Sequence, residues 1–216
     1  MADLKGRTVL VLGGSSGIGL ATARLAAVCG AKIVLASHHR ERLEAAAPRI
    51  RGRVRIEPAD LADEASIAAL CGQLGRIDHL VVTGDQPYTG AIRDLDIEDA
   101  KQSFDIKFWG SIRAVKHAAP RMPEDGSIVL ISGVLAARPS PGMVTLAALN
   151  AAMEGLIRGL AVELSPIRVN GISPGLVATP SLDWMSGEQC AAMFGKFRDA
   201  TPAKRVGTPE ASRQGS

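Results

Sequence analysis

Aromatic residues are scarce: four Phe, two Trp and one Tyr make up 3% of the 216 residues. Ala, Val, Leu, Ile and Gly dominate instead, a balance that suits helices packed on a parallel sheet better than a β-sandwich. Cysteine is equally sparse. Cys29, Cys71 and Cys190 are far apart and lack metal-ligand spacing, so they read as small apolar fillers in a reducing compartment, with no metal expected. A strong charge of one sign is also missing, since the formal net charge is only +3. The densest basic cluster, Arg49, Arg51, Arg53 and Arg55, alternates as an edge strand would, and a nucleic-acid partner is not expected. No apolar run is read as membrane-spanning, and the first ten residues lack a signal-peptide pattern. A cytoplasmic protein without a membrane partner is expected, as a single domain over residues 1–216.

What is present is a strict alternation. Buried strands are expected at Arg7–Leu12, Lys32–Ser37, Arg53–Glu57, Asp78–Thr83, Ser127–Ser132 and Ile167–Ile172. Helices fall between them at Gly17–Cys29, Arg40–Ala47, Asp63–Leu74 (with Asp63 as N-cap), Ile97–Met122 and Met143–Leu164. Such alternation implies an α/β, Rossmann-like doubly wound parallel sheet in strand order 3-2-1-4-5-6. From about residue 179 to 200 the periodicity weakens. This stretch carries Trp184, Met185, Met193 and Phe194 and reads as a lid-like segment or a surface helix; residues 211–216 read as a polar tail.

Gly13-Gly14-Ser15-Ser16-Gly17-Ile18-Gly19 joins the first strand to the first helix. A pyrophosphate needs close backbone approach, free N–H groups and a helix N-terminus, and a glycine string in this context supplies them. Which dinucleotide it takes is read at the end of the second strand. An acid there would bond the ribose 2′-hydroxyl and repel a 2′-phosphate. The chain has Ser37-His38-His39-Arg40 instead, and Arg40 can pair with a phosphate. NADP(H) is therefore favoured over NAD(H).

These segments resemble the short-chain dehydrogenase/reductase family. Asp60-Leu61 is similar to that family's adenine-contacting acid–apolar pair. Ile167-Arg168-Val169-Asn170-Gly171-Ile172-Ser173-Pro174-Gly175 is similar to its sixth strand and Pro-Gly turn. Thr179 is similar to the threonine that meets the nicotinamide carboxamide. The resemblance adds Thr83, Gly84, Pro174, Gly175 and Val177 to the cofactor-binding set. It also implies an Asn-Ser-Tyr-Lys tetrad, and here the chain departs. Lys107 stands where Asn is expected, Gly133 at the Ser, Leu146 at the Tyr and Asn150 at the Lys. The Lys and Asn positions are exchanged, which would keep one ammonium and one amide in the same space. Lys107, Asn150 and Ser132 are the catalytic candidates that remain; Lys107 also reads as a structural donor. Members of the family continue into a helix and a seventh strand. Here the similarity fades at Glu210, so either the seventh strand is absent or the sequence is truncated, and the tetramer that region builds is not assumed.

Two functions follow. The first is an NADP(H)-dependent oxidoreductase that moves a hydride to or from a small carbonyl or alcohol substrate by an altered proton-transfer arrangement. The second is a non-catalytic NADP(H)-binding protein, a sensor or partner subunit. The two long helices offer a surface for a homodimer.

Overall fold

The computed structural model describes residues 3–180 and 186–210. Six parallel strands run in the order β3-β2-β1-β4-β5-β6. They are β1 (Thr8–Leu12), β2 (Lys32–Ser37), β3 (Val54–Pro58), β4 (His79–Val82), β5 (Ser127–Ile131) and β6 (Arg168–Ile172). The helices are α1 (Gly17–Val28), α2 (Arg40–Ala46), α3 (Glu64–Gln73), α4 (Ile97–Phe104), α5 (Gly110–Ala118), α6 (Val144–Glu163) and α7 (Gly187–Ala200).

The uninterrupted apolar run of β1 is used on both faces. Leu10 and Leu12 point into a core with Ile67, Ala114, Val115 and Met153, on the side of α3, α5 and α6. Val9 and Val11 point the other way, toward Leu20, Ala23 and Leu43 of α1 and α2. β1 pairs with β2 on one side and β4 on the other, so Leu12 and Val82 end side by side while their connections diverge. A crevice at such a reversal is where open α/β sheets bind ligands.

Element boundaries moved by a residue or two at most of the strands and helices, as fraying ends do. Two expectations need larger corrections. The helix expected over Ile97–Met122 is broken: α4 passes through a π turn at Asp105–Trp109 into α5, and a 3₁₀ turn follows at Ala119–Arg121. A π turn preserves an apolar stripe on either side while rotating it, so periodicity alone reads straight through it. The weakly periodic stretch after residue 179, read as a lid-like segment or a surface helix, contains the 14-residue α7, a surface helix with Met193 and Phe194 in it. Its start was legible in the reciprocal capping of Ser186 and Gln189, a pattern stronger than the periodicity of a helix that buries no residue. Trp184, Met185 and residues 211–216 lie outside the described residues. Lastly, α6 is long and apolar enough by length and composition to cross a membrane, although it packs Leu146, Leu149, Asn150 and Met153 inward as a core helix does.

Asp63 caps α3 as expected, accepting from the Ala65 amide at 2.9 Å. β3 is an outer strand, and its Arg55 pairs with Glu57 and reaches Gln73.

Candidate functional site

The loop after β1 must double back against the loop after β4. Gly13 holds a φ of +82°, and a β-carbon there would fall 2.4 Å from the Gly84 amide nitrogen. Gly19, one turn into α1, would drive a β-carbon to 2.5 Å from both the Gly13 carbonyl and the Thr83 hydroxyl. Thr83 fastens the arrangement by donating to the Leu12 and Gly13 carbonyls at 3.2 and 3.1 Å. Gly17 lies against Thr179, whose Cγ2 would be 3.2 Å from a β-carbon at position 17. Ser16 is the N-cap of α1 and makes no side-chain capping bond, so the first amides of the helix keep their polarity for a ligand. Backbone held this close, at the start of a helix and at the strand reversal, is the shape a pyrophosphate requires. The residues fit a dinucleotide.

The same segment reaches the end of β2. Ser15 donates to Ser37 at 3.4 Å. His38 and His39 stack with ring centroids 3.7 Å apart. Burial, then the neighbouring His39, pushes the His38 pKa down, so this ring carries no positive charge at neutral pH. The positive group here is Arg40, the first residue of α2, lightly engaged by Glu44 at 3.5 Å. The Asp60 carboxylate accepts from the Ala62 amide at 2.9 Å, and Leu61 packs onto Gly84, at 2.3 Å from a β-carbon built there. Pro174 bonds Val134 through its carbonyl at 2.9 Å, Gly175 lies under the Phe197 ring, and Val177 bridges to Gly207. Ile18 lines an apolar cavity of about 140 Å³ together with Thr83, Val129, Ile131 and Ile172.

Lys107 sits in the π turn with its side chain 6% exposed. Its ammonium donates to Asn150 Oδ1 at 3.0 Å, to the Ser132 carbonyl at 3.3 Å and to Asp85 Oδ2 at 3.0 Å. The exchanged Lys and Asn therefore meet directly. Ser132, also buried, gives its hydroxyl proton to the Asn150 carbonyl at 2.9 Å. Two of the tetrad replacements are coupled by space: a β-carbon at Gly133 would lie 2.5 Å from Asn150 Nδ2, so the amide at 150 occupies the room a serine at 133 would need. Leu146 fills the tyrosine position and is buried. The residue the sequence reading missed is Asp85, in the loop after β4. No motif marks it, but a buried ammonium calls for an anion, and the loop held the nearest carboxylate.

Comparison with known proteins bears on this arrangement. Residues 13–214 match the family model described as Enoyl-(Acyl carrier protein) reductase. The short-chain dehydrogenase/reductase ucsE of Acremonium sp. is 34% identical over 96% of this chain and 86% of its own. An uncharacterised oxidoreductase, YhxD of Bacillus subtilis, is 35% identical over 95% of this chain and 73% of its own. A small-chain dehydrogenase crystallised in complex with NADPH superposes with a TM-score of 0.83 at 34% identity, over 94% of this chain and 85% of that one.

Proposed function

The chain belongs to the short-chain dehydrogenase/reductase family of oxidoreductases, and on that premise we propose that it binds NADP(H) in preference to NAD(H) and moves a hydride to or from a small carbonyl or alcohol substrate. When bound, the dinucleotide supplies the hydride; the chain supplies grip, orientation and charge.

The observation that carries the preference is the end of β2. Ser37 touches Ser15 of the glycine turn, Arg40 follows three residues on at the start of α2, and no carboxylate stands between them in sequence. Both can serve a 2′-phosphate, whereas an NAD(H) site gains from an acid at this point. The solved relative holding NADPH supports the same reading. Calorimetry with the two reduced cofactors tests it. NADPH should bind more tightly, the margin should shrink as salt rises, and Arg40→Ala should remove roughly tenfold of it. Equal affinities in the parent chain would reject the preference.

The site also favours a second reading, a non-catalytic NADP(H)-binding protein. The proton-handling groups of the family are replaced, and Lys107 is fully engaged by the protein itself. Tight NADPH binding with no turnover across aldehydes, ketones, quinones and imines would favour it over the first.

A further inference from the structure

Hydride addition to a ketone leaves an alkoxide that must collect a proton. In the family a tyrosine hydroxyl delivers it. At the corresponding end of this sheet the protons of Lys107, Ser132, Thr83 and Thr145 are committed elsewhere. An ammonium has three N–H bonds, and those of Lys107 are taken by Asp85, Asn150 and the Ser132 carbonyl. The Ser132 hydroxyl is spent on the Asn150 carbonyl, and that of Thr83 on the Leu12 and Gly13 carbonyls. The Thr145 hydroxyl, beside Leu146, donates to the Tyr88 carbonyl at 3.2 Å. Leu146 and Gly133 have no proton to give. The Tyr88 hydroxyl oxygen accepts from the Asp96 amide at 2.8 Å at the start of α4 and keeps its own proton, outside the four tetrad positions.

What this end of the sheet presents outward is an acceptor. Asp85 follows Gly84 at the cradle, and its side chain is 29% exposed. Lys107 holds Oδ2 from beneath, while Oδ1 has no protein partner among the described residues. The carboxylate is thereby fixed in orientation with one oxygen left for a ligand.

Resting on the hydride-transfer reading above, we propose that the acceptor is a preformed cation of the iminium class and that Asp85 is the side chain that receives its charge. The chemistry balances without an acid. One C–H bond of the reduced nicotinamide breaks as one forms at the carbon of C=N⁺, and the π pair becomes the lone pair of a neutral amine. The reduced nicotinamide dinucleotide loses two electrons and takes up the positive charge. No proton is consumed, so a site whose tetrad positions offer no free donor among the described residues is sufficient.

Two measurements test this. The first needs no cofactor. N,N-dimethylpyrrolidinium, which can neither react nor titrate, should bind the parent chain measurably by calorimetry and roughly tenfold more weakly to Asp85→Asn. The asparagine still offers Lys107 an oxygen, and an unchanged melting temperature would show that the fold survives. Equal binding to the two chains, or no binding to either, overturns the Asp85 subsite. The second compares 1,2-dimethyl-1-pyrrolinium with 2-methylcyclopentanone as substrates under NADPH. The iminium should be reduced, with a rate unaffected by deuterated solvent and about 100-fold or more above the ketone, the usual worth of a general acid. Ketone reduction at a comparable rate, or a large solvent isotope effect on the iminium, overturns the substrate class while leaving the hydride-transfer reading intact. Failure of NADPH to bind would fail that reading and with it the substrate class, and the first measurement would still decide Asp85.

Discussion

At the scale of single residues, the clearest test of the site is Lys107. All its donors point at protein atoms, which makes it a positioning group that holds Asp85, Asn150 and the end of β5 together. Lys107→Met would leave the buried Asn150 oxygen without a donor and Asp85 without a counter-charge. We expect a loss of about 2 kcal/mol, read from urea unfolding, with NADPH affinity nearly unchanged. A large loss of turnover per folded molecule would instead return Lys107 to the chemistry. Gly133→Ser probes the coupled replacements. Alone it should destabilise by about 1 kcal/mol or more; combined with Asn150→Ala the cost should shrink, and a double-mutant cycle would read the coupling. Additive effects would mean that the contact between the two positions is immaterial. Much of this site was legible: Lys107, Asn150 and Ser132 could be located by aligning short motifs on either side of them. Asp85 could not, because it stands in a loop whose sequence carries no pattern. Only the energetics of burying an ammonium point to it.

At the scale of elements, the amino-terminal edge of the sheet is tied by one carboxylate. Asp78, 2% exposed, accepts from the Thr8 amide at 2.8 Å, from Arg7 at 2.9 Å and from Arg76 at 2.8 Å, joining β1 to β4. Burial alone would raise its pKa, but these three donors outweigh it and hold the carboxyl at about 2, against an ordinary value of 3.8. A group whose pKa is lower in the folded chain stabilises above its unfolded pKa and loses that contribution as pH falls toward the folded one. Asp78 should therefore add about 2 kcal/mol at neutral pH, fading between about pH 4 and 2. Asp78→Asn should lower the melting temperature at pH 7, with the gap to the parent chain closing as pH drops through that window. A gap that is constant with pH would refute the assignment. The sheet and most helices were readable because β1, β2 and β4, buried on both faces, leave continuous apolar runs and turn residues separate the elements; β3 and β6, half-buried to exposed, leave no such run. The π turn at Asp105–Trp109 was not, since it inserts one residue without altering composition. That turn seats Lys107 inside the site.

At the scale of the whole molecule, the unsolved question is what covers α6. Only 17% of its most apolar window is buried, although the helix is 20 residues long. Val144, Ala148, Ala151, Gly155, Gly159 and Val162 are exposed along it, and small residues at helical spacing let another helix approach closely. Nearby, Ile97 and Trp109 are 56% and 52% exposed, on α4 and the π turn. A second copy related by a two-fold axis would meet this face with its own identical face, since an isologous contact needs only one self-complementary patch. The pair of α6 helices, each about 30 Å long, together with the exposed Ile97 and Trp109 beside them, offers a surface for such a contact. Sedimentation equilibrium at micromolar concentration should therefore give twice the chain mass. Gly155→Arg, which places a long charged side chain on the outer face of α6, should shift the mass to that of the monomer and leave the melting transition cooperative. A parent chain that sediments as a monomer would exclude the dimer, and a Gly155→Arg chain that stays dimeric would move the contact to another face.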